Sequence, residues 1–276
     1  MDKKLTASIV VHKPNIETFT KALNSVLNSP LISTLYVIDN SPSESVKLLC
    51  SDQRIKYIFS KSNIGFGRAH NIAIARSVAS NSVYHIVMNP DIYFEDKAIE
   101  KAFNYMNDNE DVGLLMPKVL YPDGSIQYLC KLLPCPSELI LRRFLPFKKL
   151  LDARNYIYEL RFTGYDKIID APYLSGCFMF LRTKVLKEVG LFDERFFLYF
   201  EDLDLTRRIN LYYRTIYFPK AVIYHHYQKG SYKSIKLLVH HLISAIKYFN
   251  KWGGIFDKSR RQINLATLRE LGYSGK

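Results

Sequence analysis

The chain has 276 residues, 48% hydrophobic and 24% charged, which suits one large α/β domain, alone or with a small appendage, and excludes a disordered chain. Its net charge of +13 fits anionic lipid or phosphorylated substrates; with no Arg/Gly-rich arm, zinc-finger spacing or other nucleic-acid module, no nucleic-acid partner is expected. No apolar run of membrane-spanning length or signal-peptide core is present, and Cys50, Cys130, Cys135 and Cys177 lack CxxC spacing, so a cytoplasmic protein with reduced thiols is expected.

Ala7–His12 (ASIVVH) is short, β-branched and followed by the polar turn Lys13-Pro14-Asn15, the pattern of a buried parallel strand. Ile16, Phe19, Leu23, Val26 and Leu27 then recur at helical spacing. Thr34–Asp39 is a second buried strand with the polar tip Asp39-Asn40-Ser41, and Ile55–Phe59 a third, edge-like one. Such a start sets polar residues at strand ends, where open α/β sheets bind ligands. Asn63-Ile64-Gly65-Phe66-Gly67-Arg68-Ala69-His70-Asn71 opens an Ala/Ile-rich helix to about Ala79. Its glycines permit close backbone approach and its N-terminus attracts anions, although a glycine turn before a helix needs no ligand. Val83–Met88 is an apolar strand ending in Asn89-Pro90-Asp91-Ile92. Asp91 suits a divalent cation held against a diphosphate, or a cap for the helix predicted at Lys97–Met106.

Val112–Met116 is a short strand, and Lys118–Leu129, around Tyr121-Pro122-Asp123-Gly124, reads as a hairpin. Residues 130–162 change character: Pro134, Pro136 and Pro146, with Arg142, Arg143, Lys148 and Lys149 among apolar residues, mark an insertion over the active face. Ser175 and Gly176, before the strand Phe178–Leu181, leave room for a ligand or for tight backbone packing. Thr183–Val189 is a short helix ended by Gly190.

Leu191 to Ile209 (LFDERFFLYFEDLDLTRRI) puts Glu201, Asp202 and Asp204 directly behind Phe196, Phe197, Tyr199 and Phe200. An aromatic wall raises a carboxylate pKa towards that of a working base; the same acids also suit a helix N-terminus. Tyr217–Pro219 closes the sheet, and Tyr224-His225-His226-Tyr227 puts two imidazoles just past it, candidates for metal or phosphate alongside Asp91. Ser231–Trp252 is a helix with Ile235, Leu238, Leu242, Ala245, Ile246 and Phe249 along one stripe and Lys233, Lys236, Lys247 and Lys251 beside it. It suits docking on the core, a second subunit or a membrane surface.

Taken in order, SIVVHKPN, VIDNS, NIGFGRAHN, MNPDI, YLSGCFMFLR, GLFDERFFLYFEDLDLTRRI and YHHYQKGSYKS resemble the family 2 glycosyltransferases of the GT-A fold, from about Ser8 to Ser234. Within that family they are most similar to bacterial rhamnosyltransferases of O-antigen and related surface polysaccharides. The resemblance implies an α/β GT-A domain over residues 1–230, with a Rossmann-like mixed sheet flanked by helices, and a C-terminal amphipathic helical tail over 231–276. It implies inverting transfer of L-rhamnose from dTDP-L-rhamnose to a hydroxyl of a polyprenyl-diphosphate-linked saccharide. Asp202 would be the base, and Glu201 would orient the acceptor or Asp202. Asp91 and His225 would hold Mg²⁺ or Mn²⁺, with His226 the alternative to His225. Asp39 would meet the pyrimidine, and Val10, Val11 and His12 would line the nucleotide pocket. Asn63, Gly65, Phe66, Gly67, Arg68 and Asn71 match the loop near nucleoside and sugar. Asn89 and Asp91 would reach the donor diphosphate, and Ser175 and Gly176 would lie below a sugar. His70 departs from the family pattern, and residues 130–162 match nothing in it. A UDP-hexose or UDP-N-acetylhexosamine donor fits the same fold and mechanism; a non-catalytic nucleotide-sugar binder is the reading from another class. The expected location is peripheral, on the cytoplasmic face of the bacterial inner membrane, and the tail is compatible with a homodimer.

Overall fold

The computed structural model describes residues 4–94, 97–137, 148–226 and 234–273. Its first half is a parallel sheet. Strands β1 (Leu5–Val11), β2 (Ile32–Asp39), β3 (Ile55–Phe59) and β4 (Tyr84–Met88) lie in the order β3-β2-β1-β4. β1, β2 and β4 are apolar runs almost wholly buried, as strands covered on both faces must be. Helix α1 (Ile16–Leu27) joins β1 to β2; Asn15 caps it by accepting the Thr18 N–H, and Phe19, Ala22, Leu23 and Val26 are buried. Helix α2 (Phe66–Ala79) joins β3 to β4. Val11 pairs with Asp39, Asp39 with Phe59, and Ile9 with Met88, so all four strands end on one rim.

The second half continues the sheet with mixed directions. β5 (Ile92–Tyr93), α3 (Ala98–Asp108), β6 (Val112–Leu120), β7 (Cys130–Lys131), α4 (Lys148–Tyr158), β8 (Ile169–Asp170), β9 (Tyr173–Leu174), β10 (Phe178–Arg182), α5 (Thr183–Val189), α6 (Glu201–Asn210) and β11 (Arg214–His225) follow in turn. The order after β4 is β10-β6-β11-β5, with β8 also on β11. β10 runs antiparallel to β4, so its first residue, Phe178, pairs with Met88 and the turn before it reaches the same rim. β6 runs on to Leu120 because Lys118, Val119 and Leu120 pair with Val222, Ile223 and Tyr224. That leaves the expected hairpin at 118–129 a single bridge, Leu120 to Ile126. β11 is longer than the expected Tyr217–Pro219. A register shift between Phe218 and Val222 absorbs Pro219, and pairing resumes beyond it. His225 is therefore the last residue of the strand and not a residue past it.

The tail forms α7 (Ile235–Trp252) and α8 (Lys258–Glu270). Ala245 and Tyr248 on the inner side of α7 join Leu133, Phe196, Phe200 and Leu203 in a second apolar cluster. Arg207 of α6, fully buried, forms a two-pronged ion pair with Asp257 at 2.6 and 2.8 Å. Its guanidinium also lies over the Trp252 ring, 4.0 Å from the centroid. Asp204 meets Lys251 Nζ at 2.7 Å and accepts from Trp252 Nε1 at 2.8 Å and Arg208 Nε at 2.9 Å. The tail thus grips the helix that begins with Glu201 and Asp202.

Candidate active site

Glu201 and Asp202 open α6, behind two left-handed residues, Tyr199 (φ 69°) and Phe200 (φ 68°). Bulky side chains avoid that conformation, so the surrounding packing must impose it, as strained backbone at working sites is imposed. Asp202 Oδ2 accepts the Gly176 N–H at 2.8 Å and the Tyr173 hydroxyl at 3.4 Å; Oδ1 accepts the Leu203 N–H at 2.8 Å. Burial raises the Asp202 pKa, and these N–H donors and the charge of Lys131 oppose the rise. Glu201 is buried, and its Oε2 has no hydrogen-bond partner. Burial, then the neighbouring Asp202 charge, pushes its pKa well above the usual range. Both pKa values are raised, that of Glu201 more strongly, and Asp202 carries the N–H donors that favour its charged form, so Asp202 is the better equipped of the two to take a proton. Gly176 serves Asp202 directly: a Cβ there would lie 2.8 Å from the Asp202 Cβ.

A second polar centre lies across the same rim. β5 pairs with the end of β11, Ile92 with His225, and the His226 N–H donates to the Asp91 carbonyl. This zipper brings His225 Nε2 to 3.4 Å from both Asp91 Oδ1 and Asn89 Nδ2. His226 instead packs on Tyr93, with ring centroids 5.4 Å apart. Gln127 settles the tautomer of His225. Its Nε2 donates to the His225 and Leu120 carbonyls, so its Oε1 accepts from Nδ1–H at 2.9 Å. In the neutral ring the Nε2 lone pair then accepts from Asn89 Nδ2 at 3.4 Å and faces an Asp91 carboxylate oxygen that is buried and without a hydrogen-bond partner. Two acceptors turned towards each other suit a cation between them, and an orienting partner behind the imidazole is what metal-binding histidines require. No cluster of three or more His, Cys, Asp or Glu occurs among the described residues. Asp91 and His225 therefore fit a Mg²⁺-like ion that takes its other oxygens from a diphosphate and water.

The two centres are neighbours through Cys177. Its carbonyl accepts the Asn89 N–H at 2.9 Å, and its thiol, pushed up to about 12 by burial, also feels the charges of Asp91 and Asp202.

The remaining predicted residues divide between the rim and its supports. His12 is exposed at the end of β1, with Nδ1–H donating to the Asn40 carbonyl at 2.9 Å. Val11 is buried. Asp39 is fully buried and accepts the Ser41 N–H and the Tyr57 hydroxyl, each at 2.8 Å. Asn63 is exposed and its Oδ1 accepts the Gly65 N–H at 3.0 Å. Gly65 (φ +93°) leaves no room for a side chain, since a Cβ would sit 2.5 Å from the Phe197 carbonyl, which accepts the Phe66 N–H. A Cβ on Gly67 would lie 2.9 Å from the Phe192 Cβ and 3.4 Å from the Glu201 Cβ. Asn71 is buried and bonds both the N–H and the carbonyl of Phe192. Gly65, Gly67 and Asn71 thus lock the glycine loop to the segment carrying the carboxylate pair. Arg68 is exposed in a groove beside Glu194, 3.5 Å away. Ser175 Oγ accepts the Cys177 N–H at 3.4 Å. The divergent His70 is buried, bonds Ser8 at 2.7 Å, and lies edge-on to Phe66; burial and the nearby His85 hold its pKa well below normal. It is a neutral core residue.

Three neighbours of the site escaped the sequence reading. Gln127 carried no signal of its own. Lys131 and Tyr173 are paired across the two-stranded β7–β9 sheet, with Lys131 Nζ 5.6 Å from the Tyr173 ring centroid. The start of the 130–162 insertion thereby brings a cation near Asp202.

Comparison with known proteins agrees with this fold. The chain is 25% identical over 258 residues to the N-acetylglucosaminyl-diphospho-decaprenol L-rhamnosyltransferase of Mycobacterium tuberculosis, covering 87% of this chain and 82% of the relative. It is 27% identical over 224 residues to the rhamnosyltransferase WbbL of Escherichia coli, covering 78% and 81%. The solved mannosyltransferase PcManGT of Pyrobaculum calidifontis, in complex with GDP-Man and Mn²⁺, superposes with a TM-score of 0.58 over 99% of this chain and 76% of that one, at 12% identity, a likeness of fold. The profile described as Glycosyl transferase family 2 matches residues 9–190. With the mixed GT-A sheet and the carboxylate pair at its rim, the chain belongs to glycosyl transferase family 2.

Proposed function

We propose that this glycosyltransferase moves L-rhamnose from dTDP-L-rhamnose, with inversion, to a hydroxyl of a saccharide carried on a polyprenyl diphosphate, at the cytoplasmic face of the inner membrane. The observation that supports it most is the placement of Asp202, held by three donors, on the same rim as Asp91 and His225. The rhamnosyl names of the two relatives support the choice of donor and acceptor.

In this reading the acceptor hydroxyl lies against Asp202, which takes its proton as the oxygen attacks the anomeric carbon from the face opposite the leaving group. The new C–O bond forms as the bond to the nucleoside diphosphate breaks. Burial and the Asp202 charge favour the protonated form of Glu201, in which it adds no second charge beside the base. Lys131 favours the ionised form of Asp202 before attack. Asp91 and His225 would hold Mg²⁺ or Mn²⁺, which supplies positive charge to the departing diphosphate. Gln127 keeps the His225 ring turned for that role.

The test is a transfer assay with dTDP-L-rhamnose and a panel of UDP- and GDP-sugars, each with a synthetic GlcNAc-diphospholipid, in Mg²⁺, Mn²⁺ or EDTA. Release of dTDP with rhamnosylated lipid, abolished by EDTA, is expected. Turnover of a UDP-sugar in its place overturns the rhamnosyl assignment. Nucleotide binding with no transfer to any acceptor favours a binding protein.

A further inference from the structure

Helix α7 is apolar on two sides. Its inner side is spent on the core, where Ser244, Ala245 and Tyr248 are buried. On the outer side Ile235, Val239, Leu242, Ile243 and Ile246 stand 83%, 46%, 46%, 44% and 61% exposed. Steps of three and four residues keep them on one ridge, about 17 Å long at the α-helical rise. Past the end of the helix, Ile255 and Phe256 are 74% and 88% exposed. Exposed large apolar residues are usually scattered singly, and a concentration of this kind marks an interaction face.

The charge around the ridge selects the partner. Residues 234–256 contain no acidic side chain. Lys236 and Lys247 are exposed on the helix, and Lys258 and Arg261 are exposed just after it. Asp257, the first acid that follows, is buried against Arg207. A second copy of this face would bring lysines against lysines, which opposes self-association. A surface with apolar depth and negative headgroups complements both features. No helix among the described residues is long and apolar enough to cross a membrane, so the contact is one of lying on the surface.

We infer that the outer ridge of α7, with Ile255 and Phe256, is a docking face for an anionic lipid bilayer. The ridge inserts at the boundary between headgroups and acyl chains, and the flanking cations meet the headgroups. Since the inner side of the same helix grips α6, docking sets the orientation of the catalytic rim towards the bilayer. The inference goes beyond the transfer reading, because lipid binding needs neither donor nor acceptor.

The experiment is flotation of the full chain with phosphatidylcholine vesicles, with and without phosphatidylglycerol, and with no nucleotide sugar present. The protein is expected to float with the anionic vesicles and to remain behind with the neutral ones. The double variant Ile243→Glu/Ile246→Glu should lower the bound fraction about tenfold or more at an unchanged melting temperature. Lys236→Glu/Lys258→Glu should weaken binding and flatten its dependence on salt. Absence of wild-type binding, or binding indifferent to the isoleucine variants, overturns the inference. A dimer in light scattering that those variants dissolve also overturns it, in favour of a second copy. These readouts contain no transfer step, so failure of the rhamnosyl assignment leaves them interpretable.

Discussion

Replacing Asp257 by Ala tests how firmly the tail holds α6. The change removes both oxygens bonded to Arg207, at 2.6 and 2.8 Å. The Arg207 side chain is fully buried and cannot turn to water. It keeps the Tyr248 hydroxyl at 3.1 Å, the Ser259 hydroxyl at 2.6 Å and the Trp252 face, none of which carries a countercharge. An orphaned charge of this kind costs about 3–5 kcal/mol. Asp257 also caps α8 through the Arg260 N–H at 2.9 Å, and losing a cap adds about 1 kcal/mol. The sum, roughly 4–6 kcal/mol, is a large share of the ~5–15 kcal/mol that holds a typical domain. Urea unfolding followed by tryptophan fluorescence measures it, because Trp252, the single tryptophan, lies on the Arg207 guanidinium. A melting temperature lower by roughly 10 °C is the thermal counterpart. A loss below about 1 kcal/mol would refute the argument by giving this pair the worth of a surface ion pair. Asp257→Asn, which keeps a capping oxygen, separates the two contributions. Burial pushes the Asp257 carboxyl up, yet its Arg207 hydrogen bonds outweigh that and hold it below the usual range. Its stabilisation is therefore full above about pH 4 and fades as the pH falls further.

Other outcomes follow from the rim. Asp202→Asn should lower kcat by about 10²–10⁴-fold while leaving nucleotide binding, read by calorimetry, near the wild-type value. Because burial raises the Asp202 pKa, the acid limb of the wild-type rate profile should lie above the pH near 4 of an ordinary carboxylate, with activity falling as Asp202 protonates. Glu201 has a folded pKa above its unfolded one, so its contribution to stability is greatest at low pH and is lost as the pH rises through the folded value. Glu201→Gln should therefore raise the melting temperature at pH 8 more than at pH 4. Gln127→Leu frees the His225 ring and should weaken Mn²⁺ binding, measured by paramagnetic resonance in the presence of nucleoside diphosphate, by about 10–100-fold.

Much of this arrangement was legible in the sequence, for identifiable reasons. Buried parallel strands are continuous apolar runs, so β1, β2 and β4 stood out, and Ile55–Phe59 and Thr183–Val189 have the bounds their turn residues suggest. Asp91, Glu201 and Asp202 could be named because polar residues at strand and helix ends are conspicuous against apolar neighbours. β11 was foreshortened because Pro219 reads as a terminator, and nothing local announces that a register shift will absorb it. Gln127 was invisible, since a lone amide near a turn signals nothing until its partner strand is known. Arg207 carried no local signal of burial either, yet among the described residues it is the largest fully buried side chain. Its partner lies 50 positions away, beyond the reach of any local pattern.

That separation has a consequence for how the protein is made. The ribosome delivers Asp204 and Arg207 well before Lys251, Trp252 and Asp257, so α6 emerges with its buried cation lacking a countercharge. A nascent chain can carry Asp91, Glu201, Asp202 and His225 and still lack the contacts that fix α6, the helix that presents two of them. Fixing of α6 therefore waits on residues 251–257, and a premature stop after residue 226 would leave the buried Arg207 without its countercharge and the chain unstable.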